Sequence, residues 1–302
     1  MNYGKKKASK RQKQITSKST MQGKRVTVRL LKGFILCVLA ICIIGMIGGL
    51  IFVKRILDNS PDVTPDDVRP KGYTTIVYAD DGATELERFV EAGSNREYKS
   101  IDQIPVDLQH AFVAIEDERF YEHNGIDPQG ILRAAITGIT SGGDFSQGAS
   151  TLTQQLIKNN VFPDFVNEET FYDRLERKIQ EQFLALDIEK QMSKDEIMEA
   201  YLNTINLGQN TLGVQSASKR YFNKDVSELT LSECAVLASI TQNPSLYNPI
   251  TNPEDNARRR TEVLDRMLDQ GYIDQAAYDE AMADDVYTRI QAVNAAIGED
   301  SP

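Results

Sequence analysis

AFVAIEDERFYEHNGID, residues 111–127, is the stretch on which the fold turns. Leu108, Phe112 and Glu116 recur every four residues, so the spacing predicts a helix that carries the Glu116 carboxylate on its apolar face. Pro105 stands where a first helical residue is expected. Removal from water disfavours an ionised carboxyl, and a carboxyl tuned in that direction suits a general base for a hydroxyl. An equally direct reading is an acidic helix end, Glu116 to Glu118, with Arg119 as its partner. The stretch alone leaves both open.

Toward the C-terminus, apolar residues recur at helical spacing almost to the end of the 302-residue chain. Thr230-x-x-Glu233 reads as a capping box and Asn243-Pro244 as a stop, so the region is expected to be mainly α. Toward the N-terminus, TTIVY (74–78), the turn ADDG (79–82) and the run to Phe89 predict a β-hairpin, the one clear sheet element. Residues 54–72, with Pro61, Pro65 and Pro70, read as a linker. Before them lies GFILCVLAICIIGMIGGLIFV (33–53), 21 uncharged residues. That is long enough to cross ~30 Å of hydrocarbon as a helix. It ends in Lys54-Arg55 and lacks a small-residue cleavage motif, so it is expected to stay as an anchor.

Charge is divided by that span. Residues 1–32 carry eleven Lys or Arg and no acid, whereas the chain after Arg55 holds all 44 acids against 21 bases. Basic flanks stay cytoplasmic, so the bulk of the chain is expected outside the cell membrane. The tail has Tyr3 as its lone aromatic and adjoins a span, which favours contact with anionic lipid over nucleic acid. Cys37 and Cys42 lie within the span, and Cys234 alone follows it, so no disulfide is expected in the exported part. With His110 and His123 as the only histidines, a His/Cys zinc site is not expected either.

Three further segments could carry chemistry. GASTLTQQLIKN (148–159) brings a Gly-containing loop into a helix capped by Ser150 or Thr151, with Gln154 completing a capping box. Such a start presents backbone N–H groups to a phosphate or sugar oxygen, although most caps are only caps. In DRLERKIQEQF (173–183), Phe171, Leu175, Ile179, Phe183 and Leu186 form the expected buried stripe. Arg174, Arg177, Lys178 and Glu181 then share another face, either a salt-bridged surface or a basic platform for pyrophosphate. KDEIMEAYLNTINLGQNTLGVQSASKRYF (194–222) reads as a helix and a Gly-punctuated loop, with Glu199 and Asn203 one turn apart.

Taken in this order, the four segments resemble the peptidoglycan glycosyltransferase domain of class A penicillin-binding proteins and monofunctional transglycosylases. E-D-x-x-F-x-x-H-x-G is met by Glu116, Asp117, Phe120, His123 and Gly125; G-x-S-T-x-x-Q-Q by Gly148, Ser150, Thr151, Gln154 and Gln155. R-K-x-x-E is met by Arg177, Lys178 and Glu181, and E-x-Y-L-N-x-x-x-x-G by Glu199, Tyr201, Leu202, Asn203 and Gly208. LTLSECAVLASITQNPSLYNP and NARRRTEVLDRML continue the resemblance, which covers residues 73–285. It implies a mainly α, lysozyme-like bilobed domain with a small N-terminal hairpin, behind one transmembrane helix. Residues 286–302 would be a tail or the start of a further domain.

The activity implied is polymerisation of lipid II with inversion, the growing glycan losing its lipid pyrophosphate to the acceptor's 4-hydroxyl. Glu116 would be the base and Glu181 a second catalytic carboxylate. Arg177, Lys178, Ser150, Thr151, Gln154 and Gln155 would bind the donor, helped by a divalent cation such as magnesium. Asp117, Phe120, His123, Gly125, Gly148, Glu199, Tyr201, Asn203 and Gly208 would hold the cleft in shape. Substrate lipid, membrane and cell-wall synthesis or division proteins are the implied partners. The apolar stretch ILRAAITGITSGG (131–143) is expected either to touch the membrane or to be plain core. NVFPDFVNEETFYD, between the second and third segments, is longer than the pattern and puts the local loop in question. Ser216-x-x-Lys219 has no K-T-G to accompany it and reads as chance. A lytic glycan hydrolase using Glu116 as acid, and a non-catalytic anchored scaffold, are the rival readings.

Overall fold

The computed structural model describes residues 3–15, 17–90, 95–140 and 150–299, so Gly148 and the end of ILRAAITGITSGG lie outside the described residues. The chain divides into two compact units, Met1–Ser60 and Pro61–Pro302. The first holds α1 (Tyr3–Ile15) and α2 (Lys18–Asp58). Within α2, Val26–Asp58 is long and apolar enough to cross a membrane. The expected span, 33–53, lies inside it. The helix then continues through Lys54 and Arg55, because both are good helix formers and Lys54 reaches Asp58 one turn on at 2.8 Å. The expected linker therefore begins only after Asp58.

The second unit starts with α3 (Pro65–Val68), capped by Thr64, whose backbone N–H donates to Asp67 Oδ2 at 3.0 Å. Val68 is fully buried, so part of the expected linker is core. The hairpin follows as β1 (Thr75–Tyr78) and β2 (Glu85–Phe89), antiparallel, with a bulge between Val77 and Tyr78. Asp81 closes its turn by accepting from the Thr84 hydroxyl and from the Thr84 and Ala83 amides at 2.8 and 2.9 Å; the hydroxyl first, then the amides, hold its carboxyl at about 2.

The rest is helical: α4 (Val106–Glu116), α5 (Pro128–Thr140), α6 (Leu152–Val161), α7 (Phe171–Ile188), α8 (Lys194–Leu202) and α9 (Val214–Phe222). Then come α10 (Leu231–Ser239), α11 (Pro253–Asp269), α12 (Gln275–Ala283) and α13 (Val286–Glu299). Thr151, Thr170, Ser193, Thr230 and Asp274 each accept the backbone N–H three residues on, which fixes where α6, α7, α8, α10 and α12 begin.

Two helical groups share one hydrophobic core: α10 and α11 pack on α4, while α3, α7 and α8 pack on α6. In α4, Leu108 and Ala111 to Ile115 are all buried, so this helix is apolar all round rather than on one face.

The predicted stripe of α7 is rotated. Phe171 is 74% exposed and Phe183 is also exposed, whereas Gln180, Glu181, Leu184, Ala185 and Ile188 are buried. Glu181 thus sits on the buried face, where its polar contacts, not hydropathy, set the register. The expected tail at 286 is likewise core at its start, with Val286 and Ile290 buried and Tyr287 donating to Asn256 Oδ1 at 2.7 Å.

Glu199 and Asn203 on α8 fasten the segment after the hairpin. Tyr98 Oη donates to Glu199 Oε1 at 2.6 Å and the Ile101 amide to Oε2 at 2.8 Å. The Lys99 amide donates to Asn203 Oδ1 at 2.9 Å, and Asn203 Nδ2 returns a bond to Lys99 O at 2.7 Å. Gly208, with φ +79°, turns the chain in the left-handed region beside the Tyr221 hydroxyl.

Candidate active site

Glu116 is the last residue of α4, and Asp117 leaves the helix at φ −156°, ψ 71°. The half-buried Glu116 carboxylate accepts from Gln155 Nε2 on α6 at 2.9 Å through Oε2, and from the Thr241 hydroxyl, just past α10, through Oε1. Among the described residues no Lys or Arg forms an ion pair with it. Arg119 pairs with Asp127 at 2.6 Å and Glu118 with Arg133 at 2.8 Å. Arg119 also comes within 3.8 Å of Glu118, as an acidic helix end would have it, but Glu116 itself is a carboxylate held by neutral donors at the edge of a cleft.

That cleft has a volume of about 530 Å³ and is lined by Glu116, Ser150, Thr151, Gln242, Tyr247 and Arg259, among others. Its floor is a buried hydrogen-bond network. His123 Nε2 meets Asp117 at 2.9 Å while His123 Nδ1 accepts from the Gly125 amide at 3.2 Å, which fixes the Nε2–H tautomer. Asp117 Oδ2 also accepts the Leu152 amide at 2.9 Å, and Thr151 Oγ1 accepts the Gln154 amide at 3.2 Å. Two of the N–H groups at the start of α6 that the sequence offered to a phosphate, those of Leu152 and Gln154, are thus already taken. Thr151 and Gln154 are buried, and both donate to Gly125 O, at 2.8 and 3.1 Å. They hold the turn after Phe120; Ser150 and Gln155 are the partly accessible members of that segment. Phe120 lies beneath, its ring under Lys194 Nζ at 4.4 Å.

Gly125 is required on two counts. Its φ is +89°, and a Cβ there would lie 2.6 Å from Ala185 O on α7. Gly125→Ala is expected to cost roughly 2–4 kcal/mol in a denaturant melt. Gly82→Ala, at φ +68° but with nothing within 4 Å, is expected to cost about 1 kcal/mol. Equal losses would show that close approach to Ala185 does not matter.

The second carboxylate is not exposed to a substrate. Glu181 is 0% exposed; its Oε1 takes Arg177 and its Oε2 takes Lys178 Nζ at 2.8 Å. Arg177 also pairs with Glu168 at 2.7 Å, so the longer loop between α6 and α7 is part of the cation cluster. Phe165 of that loop lies under Lys158 Nζ and Arg177 at 5.0 and 5.5 Å. Lys178, 43% exposed, is the cation that reaches outward, and it donates to Ser150 Oγ at 2.7 Å.

Lys158 and Thr241 were not singled out from the sequence. Lys158 lies on the same face of α6 as Gln155 and feels both carboxylates. Burial lowers its ammonium pKa, Glu181 opposes that, Lys178 and Arg177 reinforce it, and Glu116 opposes it again. Helical spacing from Thr151 and Gln155 could have found it. Nothing local marks Thr241, which meets Glu116 from 125 positions along the chain. Tyr201, fully buried, directs its hydroxyl at Gln155 Oε1, 3.4 Å away; burial, Glu116 and Asp117 hold its pKa well up.

The Glu116 carboxylate thus lines a cleft that it shares with Asp117, Glu118, Asp127 and Glu262, and it is tied through α6 to a cluster of ammonium and guanidinium groups. The chain belongs to the transglycosylase family, which it matches over residues 82–268. It is 44% identical over 262 residues to penicillin-binding protein 1A of Escherichia coli (strain K12), covering 85% of this chain and 28% of that protein. The protein of the same name from Clostridium perfringens (strain 13 / Type A) is 39% identical, with coverages of 88% and 39%. Penicillin-binding protein 1F of Bacillus subtilis (strain 168) is 47% identical over 59% of this chain and 24% of its own length. The chain therefore spans well under half the length of these relatives, and the matched region is a peptidoglycan glycosyltransferase domain of cell-wall synthesis.

Proposed function

We propose that this domain polymerises lipid II into glycan strands with inversion at the sugar, releasing the undecaprenyl pyrophosphate carrier. The single observation that carries the reading is the Glu116 carboxylate, free of any cation partner among the described residues and facing the cleft. Glu116 takes the proton from the acceptor's 4-hydroxyl as that oxygen bonds to the donor's anomeric carbon. The bond from that carbon to the pyrophosphate oxygen breaks, and the leaving charge is met by Lys178 and Lys158. Ser150 and Gln155 orient the donor. Glu181 and Arg177 act through Lys178, setting its position from the buried side.

A divalent cation such as magnesium, bound with the substrate pyrophosphate, would draw its ligands chiefly from the phosphate oxygens, and Glu181 offers it none. Both Glu181 oxygens are occupied by cationic donors, and among the described residues no three His, Cys, Asp or Glu side chains converge. The ammonium groups are assigned the pyrophosphate charge, and no step runs through a metal.

The N-terminus would be cytoplasmic and the domain extracellular, since the basic residues flank the span on its N-terminal side. Tethering to the lipid phase raises the effective concentration of a lipid-linked substrate. Ile131, Leu132 (61% exposed) and Ile136 on α5 are not core, which supports a role for this helix in contacting lipid. Cell-wall synthesis or division proteins would be partners.

The cation cluster disfavours a lytic hydrolase, because cleavage of a neutral glycosidic bond expels no pyrophosphate, and a scaffold requires neither carboxylate. The test is a polymerisation assay of the detergent-solubilised protein on lipid II, run beside finished cell wall. Consumption of lipid II into glycan without release from wall is expected. Release from wall with lipid II untouched would overturn the reading.

A further inference from the structure

Thr241 Oγ1 stands within hydrogen-bond reach of two acceptors, Glu116 Oε1 and, at 3.1 Å, the backbone oxygen of Ala238 at the end of α10. A hydroxyl has one proton, so it can donate to only one of them at a time, but it can accept in the same instant. The other Glu116 oxygen faces an amide: Gln155 Nε2 donates at 2.9 Å and cannot accept. The two oxygens are therefore unequal. Oε2 is kept as an acceptor, while Oε1 faces a group able to serve either protonation state.

We infer that Thr241 is a positioning residue that reverses its hydrogen bond with Glu116 during each turnover. The inference rests on the reading of Glu116 as the base. Before transfer, Glu116 is a carboxylate and Thr241 donates to Oε1. The acceptor's 4-hydroxyl then loses its proton to the carboxylate as its oxygen bonds to the anomeric carbon and the bond to the pyrophosphate oxygen breaks. The proton comes to rest on Oε1 and is donated to Thr241 Oγ1, whose own hydrogen turns to Ala238 O. When the proton leaves to solvent, the hydroxyl turns back. At no stage is a polar atom of the pair left without a partner, so neither form of the base is penalised by its surroundings.

Lys158 on α6 and Tyr201 on α8 feel Glu116, and Asp117, Glu118, Asp127, Arg133, Arg259, Glu262 and Arg266 line the same cleft. The Tyr201 hydroxyl faces Gln155 Oε1, not Glu116, and Asp117 is engaged by His123 and the Leu152 amide. Thr241 is thus the one described partner of Glu116 whose donor sense can reverse.

The test compares the full chain with Thr241→Val, which keeps the shape and removes the hydroxyl, and Thr241→Ser, which keeps the hydroxyl. Thr241→Ala serves as a second hydroxyl-free form should Val fold poorly. Thr241→Val is expected to lower kcat on lipid II roughly 10- to 100-fold, the scale of a lost hydrogen bond to a charged group, with KM little changed. The acidic limb of its pH–rate profile should move up, because the charge-assisted bond lost by the carboxylate is stronger than the neutral bond lost by the protonated form. Thr241→Ser should restore the profile. In parallel, the Glu116 side-chain carbon, assigned by its absence in Glu116→Gln, is titrated by 13C NMR; its midpoint should rise in Thr241→Val and return in Thr241→Ser. Unchanged kcat and midpoint in folded Thr241→Val, or a Thr241→Ser as impaired as Val, overturns the inference. Failure of the wild type to turn over lipid II while the midpoint still shifts leaves the hydrogen bond standing and removes the functional reading instead.

Discussion

Glu116→Gln is expected to lower the rate of glycan formation from lipid II about 10³-fold, near 4 kcal/mol of lost transition-state stabilisation, while the thermal midpoint stays within about 2 °C. The separation of the two effects follows from what surrounds the side chain. A glutamine of the same shape can accept from Gln155 through its carbonyl oxygen and donate through its amide to Thr241, whose hydroxyl then turns to Ala238 O. The fold loses no hydrogen bond; the reaction loses the one group able to take a proton from the acceptor hydroxyl. Wild-type rates in the variant would remove Glu116 from the chemistry. A melt that falls by ten degrees would mean that the acid holds the fold instead.

Glu181→Ala is expected to do the reverse. Glu181 is fully buried between Arg177 and Lys178, and Arg177 also leans on Glu168. Removing it leaves Arg177 with Glu168 alone and Lys178 without a carboxylate, beside a cavity, a change that costs about 3–5 kcal/mol in comparable buried pairs. For a domain of this size the melting temperature should fall by roughly 6–20 °C. Lys178→Ala, by contrast, removes an outward-reaching cation. It should change stability by less than about 1 kcal/mol while raising KM for lipid II on the order of tenfold, from one lost charge-assisted contact. Calorimetry and steady-state kinetics on the two variants separate the roles. If Glu181→Ala melts as the wild type does but is inactive, Glu181 itself meets the substrate; if Lys178→Ala unfolds while the folded remainder has a normal KM, the cluster is a structural salt bridge only.

Several readings stand because they depend on short-range rules. The caps at Thr151 and Thr230, the hairpin around Asp81 and Gly82, and the apolar span within α2 all follow from short stretches of contiguous sequence. Others fail where distant chain intervenes. The face of α7 cannot be assigned from hydropathy, because Glu181 is buried by its contacts with Arg177 and Lys178 while Phe171 and Phe183 are left outside. The start of α6 looks open for a phosphate until Asp117, from another segment, occupies the Leu152 amide.

The sequence by itself determined the helical class, the single anchor and the identity of the acids and bases, since periodicity, charge and motif spacing are properties of contiguous residues. It also brought Glu116 forward, but with two meanings. The tertiary structure adds the contacts that bear on them, pairing Arg119 with Asp127 and Glu118 with Arg133, and bringing Gln155 and Thr241 to the Glu116 carboxylate. The physical reason is that a carboxylate's role depends on which donors meet its two oxygens. Here those donors come from 39 and 125 positions away along the chain, where no local rule can place them.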